Sequence, residues 1–556
     1  ETKRYAIRTL SNLMINDENK AELLRHKGIP TIVSCLRSSD VVTVRFATKT
    51  LSAFCAHDTF CEEIMRVSAL PSILQGVNSQ DVETVKESLA SIPPLLRFEE
   101  TVKTIIKMNY VNRIVRLFLQ HAPSRADNVK FVKAQLLAIV AELSSESSLR
   151  HEMVRLGVVR SLIEMLQSQE VETQINATVC LANLTSLEQA KEDIRQQGGI
   201  ERLVAMMNAQ LREDMDGLDA DSTIILGEAL RVVHQISTVD KNRVSFRRLG
   251  GLEMIMQCLA SNDLSILRSA IRSIYVLSID DEIEVEIARL GGLRQVLELL
   301  SFPDAEVQRR ALAALCNLSI SESNKRLVQE LGGIQAVIQI LGSTSDPKIR
   351  RDAVRAVRNL AFDDGSKREL VQLGALNLLS EALTVDDAQT VKFAIRALSI
   401  LSIDKQIRGL IVDANGLPGV LRAMDSSDPE TQRAAVGTLI NVSINKRHKT
   451  LIRQQGGFDA ILRCLNSSDS ETIRYTLRAL YNITLDEQNT LHWVTLGGVA
   501  DLLRLLSVPD VDSQLYAIST LQNVASTGPG RRDMKNRSAI GVLLGHLEMQ
   551  DSRVVA

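Results

Sequence analysis

Residues 304–333 read DAEVQRRALAALCNLSISESNKRLVQELGG. The same pattern returns as AVRNLAFDDGSKRELVQLG at 356–374, TLINVSINKRHKTLIRQQGG at 438–457, ALYNITLDEQNTLHWVTLGG at 479–498 and TLQNVAS at 520–526. The shared Asn falls at 317, 359, 441, 482 and 523, in steps of 42, 82, 41 and 41. The step of 82 is two of 41, with Ile400 at the skipped position. A fixed period near 41 in an apolar, helix-patterned chain marks an α-solenoid, because stacked helical units bury one continuous core.

Each unit predicts three helices. Before Asn441 these fall at 405–412, 418–423 and 430–442. Asn415-Gly416 supplies the turn after the first, where positive φ ends a helix. Asp428 is the N-cap of the third and Pro429 its first residue. Ala435, Leu439 and Val442 recur at helical spacing and face the core.

A chain of 556 residues ordinarily suggests several domains, but the repeat predicts a single elongated array over 1–556. Apolar residues make up 45% and aromatics only 3%, so aliphatic side chains do the packing. A net charge of −2 provides no overall basic field for nucleic acid. Cys35, Cys258 and Cys464 share one place in three units (SCL, QCL, RCL), a core position rather than a metal or redox site. With no CxxC pair, a reducing compartment is expected, and no apolar run reaches the length of a membrane span. The chain opens within a third helix and stops as another begins, so it reads as part of a longer protein.

The double Gly, the short apolar helix, the Ser-x-Asp turn and the closing A-L-x-N-L-S/A-x-x-x-x-N-K resemble the armadillo repeat from end to end of the chain. The resemblance implies an all-α, right-handed superhelical solenoid of about 12–13 three-helix repeats. Its tandem double-Gly units look closer to β-catenin-like members and the yeast vacuolar armadillo protein than to importin-α.

Along the chain, the position of Asn317 is held by Asn12, Ala53, Ser91, Glu142, Asn183, Gln235, Val276, Asn317, Asn359, Ile400, Asn441, Asn482 and Asn523. Two long steps, of 51 and 52, predict loop insertions at 119–129 and 208–222. The short step of 38 contains Pro93-Pro94, which predicts an early end to one third helix. Units before about 140 are thus irregular and those from 223 regular.

In the family, this Asn lines a concave groove and bonds the backbone of an extended partner. The resemblance therefore implies that role for Asn12, Asn183, Asn317, Asn359, Asn441, Asn482 and Asn523. The alternative, that they bridge neighbouring backbone within the array, stands equally. Four residues earlier, on the same helix face, lie Arg8, Lys49, Arg231, Arg272, Arg355, Arg396 and Arg478. Importin-α-like members carry Trp there, whereas Trp493, the only Trp, sits in a first helix. A basic groove disfavours basic cargo and favours an acidic or phosphorylated extended partner.

A second basic row, eight before the ladder position, comprises Arg4, Arg45, Arg268, Arg309, Arg351, Lys392, Arg433 and Arg474. Acids three residues earlier at 306, 430 and 471 predict ion pairs within the helix for Arg309, Arg433 and Arg474. A third row, eight after, includes Lys325, Lys367, Arg408 and Lys449. By resemblance to β-catenin-like members it edges the groove and anchors acidic residues.

Sequons at Asn183, Asn317, Asn441 and Asn482 coincide with ladder positions and are not read as glycosylation. Residues 214–221, DMDGLDAD, look calcium-like, but with Gly217 as the loop glycine Arg212 and Thr223 stand where acids belong. No catalytic constellation, metal set or phosphate loop emerges. The expected protein is a cytoplasmic, non-enzymatic scaffold without cofactor, nucleic-acid ligand or small-molecule substrate, with the nucleus, cytoskeleton or cilium as further compartments. An architectural part of a cytoskeletal or ciliary assembly and a regulatory domain of a larger enzyme are the alternatives; an importin-like receptor is disfavoured.

Overall fold

A computed structural model describes residues 1–55, 58–123, 127–211 and 217–547. Contacts divide the chain into two units, Glu1–Asp280 and Asp281–Ala556. The boundary falls between repeats, and among the described residues each unit holds six complete three-helix repeats. Every regular element described is helical, and none is long and apolar enough to cross a membrane.

The repeat preceding Lys446 shows how sequence builds the unit. Its helices are Ile407–Asp413, Leu417–Ala423 and Pro429–Val442. Asn415 takes φ 55° at the end of the first helix, and Pro418 lies in the first turn of the second. The Ser-x-Asp turn then closes on itself. The Asp428 N–H donates to Ser426 Oγ at 3.2 Å, and the Asp428 carboxylate accepts from the Thr431 N–H at 3.0 Å and from its hydroxyl at 2.6 Å. The same set recurs at Asp469, satisfying donors that a helix start leaves unpaired.

Third helices pack side by side within each unit. In Ala305–Leu318 every residue from Ala311 to the end is buried. All seven cysteines are free and buried. Burial pushes the thiols of Cys180, Cys258, Cys316 and Cys464 up to about 12, which keeps them protonated and unreactive. Trp493, buried in the first helix Glu487–Thr495, lies 5.9 Å from the Phe458 ring.

The double glycine answers two separate demands. Gly456 adopts φ 79°, which L side chains disfavour. Gly457 has no room: a Cβ would lie 2.4 Å from Ile452 Cγ2 and 2.7 Å from its carbonyl oxygen. Gly457→Ala is therefore expected to cost about 2–3 kcal/mol through overpacking against backbone. Gly456→Ala should cost about 1–2 kcal/mol through backbone strain alone. Hydrogen exchange of the surrounding helices measures both, since repeat arrays open locally.

Two expectations change. Helix enters the expected loops at 119–129 and 208–222 from both sides, which shortens the connections: second helices reach His121 and Gln210, and third helices begin at Asp127 and Ala220. Those third helices run 17 residues instead of the 14 of Ala305–Leu318. Extra turns satisfy backbone groups that a loop would leave to solvent, and the flanking Leu, Gln, Met and Lys favour helix. Residues 124–126 and 212–216, the latter with the first three residues of the calcium-like string, lie outside the described residues. At Pro93-Pro94 the third helix Val82–Ser91 does stop short and passes into a 3₁₀ turn, Pro93–Leu95.

Candidate functional site: the ladder face

The ladder residues fall at matched places near the ends of third helices, and most of them tie each helix to the one before. Asn359 Nδ2 donates to the Cys316 carbonyl at 2.8 Å. Asn441 Nδ2 donates to Ser402 Oγ at 2.9 Å, and Asn183 Nδ2 to Ser144 Oγ at 2.8 Å. Asn482 Nδ2 lies 3.4 Å from the Ile440 carbonyl; Asn523 Nδ2 reaches Thr484 Oγ1 at 3.1 Å. Asn12 is exposed at the end of Thr2–Leu13. So five of the seven use an amide N–H inside the array, which leaves the groove role open beside it. Among the described residues, the Oδ1 atoms of Asn441, Asn482 and Asn523 keep no hydrogen-bond partner. They can accept from a partner's backbone N–H, and the Asn441 and Asn482 amides, each with one N–H in its bridge, keep a second N–H to donate.

The basic row four residues earlier divides by what it touches. Arg355 Nη2 donates to Asn317 Oδ1 at 3.2 Å, and Arg231 Nη2 to Asn183 Oδ1 at 2.8 Å. Arg231 also pairs with Glu228 at 2.8 Å, and Arg396 forms an ion pair with Glu430. Arg8 lies over the Phe46 ring at 5.6 Å, and the Arg272 carbonyl is 3.1 Å from His234 Nδ1. Lys49 and Arg478 are exposed, and neither has a carboxylate in reach among the described residues.

Sequence reading missed Arg358, one residue before Asn359. Its Nε and Nη2 donate to Asn359 Oδ1 at 3.0 and 2.6 Å, and its guanidinium stands 5.5 Å from the Phe393 ring. Burial, then the like charges of Arg396 and Arg355, hold it below the usual arginine value. Arg355 and Arg358 are thus oriented by neutral amide oxygens, which position a cation without cancelling it. Half-buried Asp352, raised by burial, is the nearby counter-charge.

Most of the row at minus eight is held in ion pairs, and one of the three expected partners is replaced. Arg4 pairs with Asp40 at 2.7 Å, Arg45 with Asp81, Lys392 with Asp428 at 3.3 Å and Arg433 with Asp469 at 3.2 Å. Each acid caps the next third helix, so the cation bridges adjacent repeats. Arg309–Glu306 and Arg474–Glu471 do form within their helices, at 2.7 and 3.1 Å. Glu430, expected to pair with Arg433, turns instead to Lys392 and Arg396. The helix spacing allows both; the neighbouring repeat decides.

Arg45 and Thr84 bonds hold the Asp81 carboxyl down at about 2. A carboxylate depressed in the folded state stabilises above its unfolded value, about 3.9, and loses that contribution as pH falls through the folded value. The Asp81 contribution should therefore disappear between about pH 4 and pH 2. Asp81→Asn should remove that pH dependence from the unfolding of the surrounding repeat, measured by urea titration at each pH.

The row eight after the ladder largely caps third helices. Arg408 Nη2 donates to the Ile403 carbonyl at 3.2 Å, and Arg531 Nη1 to those of Ala525 and Ser526 at 2.9 and 3.0 Å. Lys449 is buried, which lowers its pKa. Lys367 lies 3.6 Å from Asp364, and Lys325 sits 5.6 Å from the Phe362 ring. Cations at helix C-termini are favourable in themselves, so this row is less available to a partner than the resemblance implied. Also missed were polar groups one residue earlier. Asn489, fully buried, donates to the carbonyls of Ile483 and Lys449 at 3.3 and 3.1 Å and accepts from Arg453 at 3.1 Å. The Asn of the N-K pair was its visible signal.

An armadillo/β-catenin-like repeat model matches residues 147–186, and a kinesin-associated protein (KAP) model matches residues 257–528. No curated protein sequence matches the chain. Among solved structures, an engineered protein is 27% identical, with a TM-score of 0.66, covering 75% of this chain and all of its own. A structure from work on a phosphorylation switch controlling the interaction between cadherin and beta-catenin is 16% identical, with a TM-score of 0.68, covering 89% of this chain and 98% of its own. The chain belongs to the armadillo-repeat family, as an all-α armadillo solenoid.

Proposed function

We propose that this chain is a non-enzymatic, cytoplasmic interaction scaffold whose third-helix face holds an extended acidic or phosphorylated segment of another protein. One observation carries this reading: guanidiniums at 355 and 358 are aimed by neutral amides and, among the described residues, form no salt bridge, with Asp352 the nearby counter-charge. Arg478 adds an exposed cation in the same unit. Arginine forks suit carboxylate and phosphate groups. The open Oδ1 atoms of Asn441, Asn482 and Asn523 supply acceptors for the backbone of the same segment.

Binding of a fluorescent acidic peptide, such as a poly-Glu 12-mer, tests the reading in titrations at rising salt. Affinity should fall steeply, because exposed charges are screened beyond about 8 Å at physiological ionic strength. Salt-independent binding would remove the ladder face from consideration.

A second reading is favoured by the kinesin-associated protein model over residues 257–528. On it the array is an adaptor that joins a kinesin to other proteins. Co-sedimentation of the chain with a purified kinesin tail tests it directly.

A further inference from the structure

Three residues after the ladder position, the second unit repeats another feature. Ile320, Ile403, Ile444 and Leu485 are 58%, 62%, 56% and 56% exposed, and Phe362 holds the same place half-buried. Each sits in the turn between a third helix and the next first helix. Scattered exposed aliphatics are ordinary; five in register on successive repeats form a stripe.

We propose that this stripe docks an amphipathic helix of a partner protein, with one apolar seam residue per heptad. Pitch is the first reason. The third helices behind the stripe pack on one another in sequence, and packed helices lie about 8–10 Å apart. Seven helical residues rise about 10.5 Å, so one seam position meets each repeat. A β-strand, rising about 3.3 Å per residue, returns to the same face in step only at every second repeat. A polyproline helix turns every ~9.3 Å, but such segments dock in aromatic-lined grooves, and four of these five residues are aliphatic.

Charge is the second reason. The stripe is bordered by Glu322 beside Ile320, by Asp363 and Asp364 beside Phe362, and by Asp486 and Glu487 beside Leu485. The Ile403 turn is followed by one charge of each sign, Asp404 and Lys405, and the Ile444 turn by two cations, Lys446 and Arg447. The matching helix carries Lys or Arg beside its seam at both ends and an acid opposite Ile444, as e and g positions do in coiled coils. This surface is distinct from the ladder face and does not depend on what the latter binds.

The probe is a synthetic 35-residue peptide with one Leu per heptad and Lys on either side of that seam, whose like charges keep it from pairing with itself. Titrated with the whole chain, it should bind at least ten-fold tighter than an isomer of the same composition with its Leu residues five apart, which scatters them around the helix. Ile320→Ser, Ile403→Ser, Ile444→Ser and Leu485→Ser together should lose that preference. Ile403→Ser with Ile444→Ser alone should weaken binding several-fold at unchanged Tm, which keeps the test valid if the fourfold variant folds poorly. Equal binding of peptide and isomer, or binding indifferent to these substitutions, overturns the proposal. Tighter binding of a Leu-Pro-Pro repeat overturns the helical occupant. A dimer in sedimentation that the substitutions abolish assigns the stripe to a second copy instead.

Discussion

Arg355→Glu, Arg396→Glu and Arg478→Glu combined should abolish binding of an acidic segment, a loss of at least about 100-fold, while leaving the helical content intact. The three positions do not contribute equally. Arg478 is exposed and has no carboxylate to surrender, so its attraction for a ligand is undiminished. Arg355 gives up only a bond to Asn317 Oδ1. Arg396 is already paired with Glu430, so a ligand must compete for it. Reversing Arg396, however, sets a new carboxylate against Glu430 and against the ligand together. Rim charges typically alter association rate and salt dependence, and several reversed at once sum to a few kcal/mol. Stopped-flow association of the labelled peptide resolves the two effects. An affinity unchanged in the triple variant would move recognition away from the ladder face.

Asn489→Ala should destabilise its repeat by about 3 kcal/mol, the scale set by leaving several buried polar groups unpaired. The side chain joins the end of one third helix, through the Ile483 carbonyl, to the preceding first helix through Lys449 and Arg453. Its removal takes a side-chain donor from two carbonyls, of which that of Ile483 keeps the Asp486 N–H at 3.2 Å, and leaves the half-buried Arg453 guanidinium without its amide acceptor. Because repeats couple mainly to their neighbours, faster hydrogen exchange should spread over the adjoining helices and fade further along. Exchange unchanged across residues 446–505 would mean that the network adds nothing to the packing. Asn482→Ala offers the contrast: its amide bond is long, at 3.4 Å, and its loss should cost under about 1 kcal/mol.

Much of the fold could be read directly from residue types. The Asn at 317, 359, 441, 482 and 523 set the period, the double Gly marked the turn before six of the second helices, and Asp428 and Pro429 fixed a helix start to within a residue. These are local choices, made by backbone strain, capping and apolar periodicity, and a sequence displays them. The ladder was equally visible, as were the arginines four residues before it.

What each side chain does was decided only when repeats stacked. Asn359 holds the ladder position, and its amide is drawn to the Cys316 carbonyl, 43 residues earlier in the chain. Glu430 has Arg433 within helical reach but lies nearer Lys392 and Arg396. Arg358 looked like one cation among many until burial and its two like-charged neighbours set it apart. In a solenoid the partner one repeat away lies about 40 residues off in sequence and a few ångströms off in space. Period, caps and glycines are consequently fixed by sequence, whereas the division of charges between structure and ligand is fixed by the packing of one repeat on the next.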